Sequence, residues 1–172
     1  RVNIAAIDLF NQWPTPLKMS QASLQELENA VKTTGFFRAK AKNLQGCCRK
    51  LVDQFDGIVP QTVEELTSLP GVGRKTANVV LGSVFGLAEG VVVDTHVGRI
   101  SRRLGLTKAK DAIRAERDLM REIPRDHWVV ISHRLIQHGR STCLARKPRC
   151  AGCGLVNLCP KVGVPKHLKI SQ

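Results

Sequence analysis

Four cysteines near the end of the chain, Cys143, Cys150, Cys153 and Cys159, stand in the spacing C-x6-C-x2-C-x5-C. This feature constrains the fold more than any other, because thiols so close in sequence must also meet in space. Three chemistries compete for them. Disulfides belong to small secreted chains that cannot build a sufficient core, and a chain of 172 residues that is 42% hydrophobic needs no such staples. Structural zinc usually sits between two C-x2-C knuckles, and only one is present here. A cubane iron–sulfur cluster needs four thiolates around a compact cube, which a single unevenly spaced loop can wrap. The spacing by itself leaves zinc and iron–sulfur open. The remaining pair differs: Cys48 falls on an apolar helix stripe and reads as a small buried hydrophobe, while Cys47 has no evident partner.

Upstream of the cysteines the pattern is helical nearly throughout. Phe37, Ala41, Leu44, Cys48, Leu51 and Phe55 recur at three and four residues, the stripe of an amphipathic helix, with Arg38, Lys40, Lys42, Arg49 and Lys50 on its polar face. Ser23 with Glu26 and Thr62 with Glu65 make two capping boxes. Gly35, Gly57, Gly86, Gly105 and Gly139 fall where helices should stop. Val91 to Val93 has strand character but no partner strand. The expectation is an all-α protein of about eight to ten short helices. Along the chain we expect an opening helix and loop at 1–22, a helical domain at 23–106, helices at 107–142, a cysteine loop at 143–159 and a basic, frayed tail at 160–172.

Charge narrows the function. Subtracting 14 acidic residues from 27 basic ones leaves +13, a balance that favours a polyanion, nucleic acid before a membrane surface. No run approaches the roughly eighteen apolar residues of a membrane span. Arg146, Lys147 and Arg149 lie between the first two clustered cysteines, where a loop pinned at its ends makes a good phosphate-binding finger. Offsetting an anionic cluster is the alternative use of those charges. A second candidate is the stretch LPGVGRKTA, Leu69 to Ala77. Thr62 to Leu69 reads as a short helix, Pro70 to Gly73 as a tight turn in which Gly71 and Gly73 supply unusual backbone angles, and Arg74 to Phe85 as a second helix. Such a corner presents backbone N–H groups to a phosphate. Lys75 is oddly placed there, since a helix N-terminus repels a cation.

The hairpin LPGVGRKTA, the stretch VDTHVGRISRRLG (Val93 to Gly105) and the cysteine spacing follow one another in order. Together they resemble the endonuclease III family of base-excision DNA glycosylases, in the helix-hairpin-helix superfamily, over essentially the whole chain. The resemblance implies an all-α helix-hairpin-helix glycosylase fold with a helical domain and an iron–sulfur cluster domain. It implies that Cys143, Cys150, Cys153 and Cys159 hold a [4Fe–4S] cluster, that Lys75 is the nucleophile and that Asp94 is the catalytic aspartate. Leu69, Gly71, Val72, Gly73 and Arg74, with Arg146, Lys147 and Arg149, would then contact DNA. The expected partner is double-stranded DNA carrying damaged bases or abasic sites. The expected enzyme is a monomeric, cytoplasmic, nucleoid-associated bacterial protein that removes oxidised pyrimidines and then cuts the strand.

The chemistry accounts for the awkward lysine. An ordinary lysine amine is almost wholly protonated near neutral pH. A helix N-terminus, neighbouring arginines and partial burial all favour the neutral amine, which can attack a sugar carbon. Asp94 also reads as the N-cap of a helix from Thr95 to Leu104, and a carboxylate there can both cap and take part in acid–base chemistry. We assign His96 no chemistry. Two rivals remain: a monofunctional glycosylase of the same superfamily, which would lack a lysine at this position, and a non-catalytic DNA-binding fragment. The chain opens RVNIAAIDLFNQW, inside an amphipathic pattern and without an initiator methionine. We therefore expect the family's upstream helices to be missing, leaving apolar surface exposed.

Overall fold

The computed structural model describes residues 2–168. Expectations for Arg1 and for the end of the tail, 169–172, lie outside the described residues. Among these residues there are nine α-helices and two short 3-10 turns and no strand. The chain forms two compact units, Arg1–Ala77 and Asn78–Gln172. That division is coarser than the five segments read from the sequence and falls inside one of them, 23–106.

In the first unit, α1 (Val2–Gln12), α2 (Pro16–Gln21) and α3 (Leu24–Val31) pack with the long α4 (Phe37–Phe55). Their shared core includes Leu9, Trp13, Met19, Leu27, Val31, Ala41 and Cys48, so the stripe seen in the sequence is the buried face of α4. Ser23 and Glu26 close a full capping box at the start of α3. Part of the polar face of α4 is spoken for. Gln45 Nε2 donates to the carbonyl of Ala22 at 2.8 Å, and Lys50 Nζ donates to the carbonyl of Ser68 at 2.9 Å. Both acceptors lie at helix C-termini, where unpaired carbonyls welcome a donor. The short α5 (Val63–Ser68), capped by Thr62, leads into α6 (Arg74–Val84). On α1, Val2, Ile4, Ile7 and Phe10 are exposed.

In the second unit, α7 (Thr95–Arg103), α8 (Ala112–Glu122) and α9 (Trp128–Ser141) enclose Val91, Val93, Val97, Ile100, Ala115, Leu119 and Leu135. Val91 to Val93 is buried and joins no sheet among the described residues. Gly57, Gly86 and Gly105 take left-handed backbone after helices, as expected.

Two glycines do otherwise. Gly35 follows α3 by several residues, and the left-handed residue of that loop is Phe36, with φ 57°. Gly139 lies inside α9 and ends nothing. A Cβ there would come within 2.8 Å of both His96 Nδ1 and Ile100 Cδ1, so it is the contact that lets α9 close on α7. Within the tail, Lys166–Leu168 form a 3-10 turn.

Candidate active site

The hairpin is seated on one face of α4. Pro70 lies over Gly46, where a Cβ would approach its Cγ at 3.3 Å. Gly71 has φ +79°, and a Cβ on it would meet Asn43 Cβ at 2.8 Å. Asn43 and Gly46 are three apart on the helix and share that face. Gly71 is thus required by the protein's own packing as well as by its backbone angle. Gly73, for which the sequence suggested the same unusual backbone, is not in the left-handed region. It has open space above it and begins the hydrogen bonding of α6. The Leu69 side chain is 4% exposed and anchors the turn, and its carbonyl accepts the N–H of Val72. Val72 is half-buried, and Gly71, Gly73, Arg74 and Lys75 are exposed. The partial burial expected for Lys75 is therefore absent, because its place in the first turn of α6 leaves it facing solvent.

In the second unit Asp94 caps α7. Its Oδ1 accepts from the backbone N–H of His96 and of Val97, both at 2.8 Å, and Oδ2 takes no part in the cap. A half-buried carboxylate held by one oxygen keeps the other available for chemistry. The helix beyond it does a job the sequence did not disclose. Arg99 Nη2 donates to the carbonyls of Gly139 and Cys143, each at 3.0 Å. Arg103 donates to the carbonyls of Leu144 at 2.7 Å and Ala145 at 2.8 Å, and to Cys143 Sγ at 3.1 Å. Their four-residue spacing puts both on one face of α7, but nothing in the sequence places that face against the cysteine loop. Burial lowers the Arg99 guanidinium pKa, with the neighbouring Arg103 adding to the effect.

Cys143, Cys150, Cys153 and Cys159 all line one cavity, along with Ile100, Arg103 and Val164. All four are half-buried free thiols. Among the described residues no three His, Cys, Asp or Glu side chains converge tightly enough to hold a single metal ion. Backbone N–H groups of Leu155 and Lys161 donate to Cys153 Sγ and Cys159 Sγ, each at 3.4 Å. Burial first, then the charge of the other three sulfurs, pushes the Cys150 thiol up. Arg103 is only 7% exposed and has no carboxylate partner among the described residues, so its charge is answered by carbonyls and sulfur. Arg146, Lys147 and Arg149 are exposed on the loop, whose base is closed by the Arg149 N–H donating to the Thr142 carbonyl at 2.9 Å. The pinning expected from a metal is thus shared with α7.

Phe36 is a further candidate that the sequence reading missed. It is 90% exposed, in left-handed backbone that bulky side chains seldom adopt, at the head of α4. An exposed aromatic on strained backbone cannot be distinguished by composition from a core phenylalanine such as its neighbour Phe37.

The family model described as HhH-GPD superfamily base excision DNA repair protein matches residues 1–125. The chain is 56% identical over 160 residues to endonuclease III of Synechocystis sp., covering 93% of this chain and 73% of that protein. It is 40% identical over 158 residues to endonuclease III of Escherichia coli K12, covering 92% of this chain and 74% of that one. Among solved structures, a trapped endonuclease III–DNA covalent intermediate superposes with a TM-score of 0.87 at 42% identity, covering 93% of this chain and 75% of that chain. A thermostable thymine-DNA glycosylase has the same fold, with a TM-score of 0.82 at 22% identity over 93% of this chain and 75% of that one. With matches of this depth and extent, the chain belongs to the endonuclease III family, within the HhH-GPD superfamily of base excision DNA repair proteins.

Proposed function

We propose that the protein is a bifunctional base-excision repair enzyme, a DNA glycosylase and abasic-site lyase acting on oxidised pyrimidines in duplex DNA. The observation that carries this reading is Lys75, an exposed primary amine in the first turn of α6 in a chain of the endonuclease III family. A neutral amine attacks C1′ of the flipped nucleotide and the damaged base leaves with its bonding electrons. The resulting aminal gives up an N–H proton, and its C1′–O4′ bond then breaks with O4′ taking a proton, which opens the sugar to a protonated Schiff base. Removal of a C2′ proton then expels the 3′ phosphate by β-elimination. Since Lys75 is exposed in the free protein, bound DNA supplies the desolvation that favours its neutral form. Asp94, whose Oδ2 lies outside the helix cap, serves as the carboxylate that accepts a proton or stabilises positive charge on the sugar.

DNA is gripped by backbone amides near the exposed Gly73, by Arg74, and by the finger Arg146, Lys147 and Arg149. Phe36 fills the stack vacated by the flipped base, as an exposed apolar wedge can. The four cysteines share one cavity beside the buried cation of Arg103 and fit the [4Fe–4S] cluster that membership of the endonuclease III family implies. Arg103 supplies the cation that such an anionic cluster needs. Bound there, the cluster would tie the loop together through its four thiolates.

The test is to incubate the protein with abasic-site DNA and borohydride. We expect a covalent adduct that Lys75→Ala abolishes while DNA binding survives. An adduct with Lys75→Ala would require another nucleophile.

A further inference from the structure

The chain reaches Asp94 through a buried segment that has no neighbouring strand among the described residues, so its backbone groups have no ladder to join. Two devices hold it. At Val92 the backbone N–H donates to Ser132 Oγ at 3.0 Å. Ser132 is 2% exposed, and its hydroxyl in turn donates to the carbonyl of Trp128 at 3.0 Å, inside its own helix α9. At Gly90 the backbone passes so close to Glu116 Oε1 and Asn78 Nδ2 that a Cβ would collide with both, and those two groups are bonded to each other at 2.9 Å. The segment is therefore fixed at two residues, and Asp94 follows Val92 by two more.

We propose that Ser132 is a positioning residue for the reaction: by holding the Val92 N–H it sets the place of Asp94. This rests on the reading of Asp94 as the reacting carboxylate. The argument is one of constraint. The Asp94 cap fixes the carboxylate relative to α7, but the cap does not fix the chain that enters it. In a sheet, a neighbouring strand would supply that restraint. Here one hydroxyl on α9 supplies it, and its donor and acceptor functions are both used within the unit. Removing Oγ leaves a buried N–H unpaired and frees the segment to shift by fractions of an ångström, enough to slow a reaction that depends on orientation.

The experiment is a double-mutant cycle in single-turnover base excision on a damaged duplex, with Ser132→Ala, Asp94→Asn and their combination. Ser132→Ala should slow excision about tenfold with unchanged affinity for DNA, unchanged circular dichroism and unchanged iron content. Ser132→Thr, which keeps the hydroxyl, should restore most of the rate. In the Asp94→Asn protein, Ser132→Ala should slow excision no further. If Ser132→Ala does not fold, Ser132→Cys keeps the volume, loses the strong acceptor and enters the same cycle. An unchanged rate on removing the hydroxyl overturns the proposal, and so does equal slowing in both backgrounds, which would mean general loosening. Full activity of Asp94→Asn alone would instead remove the role given to Asp94, and that outcome is visible before Ser132 is altered.

Discussion

Asp94 caps α7, and the proposed function gives the same side chain a second duty that draws on a different property of it. Its Oδ1 caps α7 through two N–H groups, a role asparagine can fill, whereas the proposed chemistry needs a carboxylate. Asp94→Asn should therefore leave the melting temperature within a few degrees while slowing excision by about a hundredfold or more. Single-turnover rates beside a thermal melt decide it, and a fast variant would leave capping as the residue's whole role. At Lys75 the structure departs from the sequence expectation, because the first turn of α6 stands in solvent and leaves the amine exposed. Leu69 holds its hairpin from inside, with its side chain 4% exposed.

At the scale of elements, helix α7 links Asp94 at its N-terminus to the cysteine loop through Arg99 and Arg103. Its approach to α9 depends on Gly139. Gly139→Ala should cost about 1–3 kcal/mol, because the new methyl would press on Ile100 and His96 and move the helix that carries both clamps. Thermal melting measures this, and an unshifted midpoint would show that the contact relaxes freely. The finger works differently, since its charges are exposed and its backbone is already held. Lys147→Gln should weaken binding to damaged and undamaged duplex alike and lower the salt slope by about one unit. Binding isotherms across a salt series give the slope. Loss of damage preference with an unaltered slope would point to base reading instead.

For the molecule as a whole, net charge of +13 suits a partner as anionic as duplex DNA, and no helix among the described residues is long and apolar enough to cross a membrane. The cysteine loop is the part whose stability depends most on what it binds. Protein purified without oxygen should be brown and carry about four irons per chain, and stripping the iron should lower the melting temperature and loosen the finger. Elemental analysis that finds zinc and no iron would overturn the cluster.

The helices, the caps at Ser23, Thr62 and Asp94, the hairpin boundaries and the cysteine quartet were all legible in the sequence, because each rests on interactions within a few residues of itself. Periodicity reports which face of a helix is buried, and capping reports where it begins. What lay beyond reach depended on residues that meet only after folding. Gly139 looked like a stop because nothing local shows that α7 will press against it. Arg99 and Arg103 looked like surface charge because the carbonyls they hold are some forty residues away in the chain. Val91 to Val93 resembled a strand, yet it pairs with no strand among the described residues. The tertiary structure replaced a neighbouring strand with the hydroxyl of Ser132, since a buried N–H needs an acceptor and accepts whichever one packing brings.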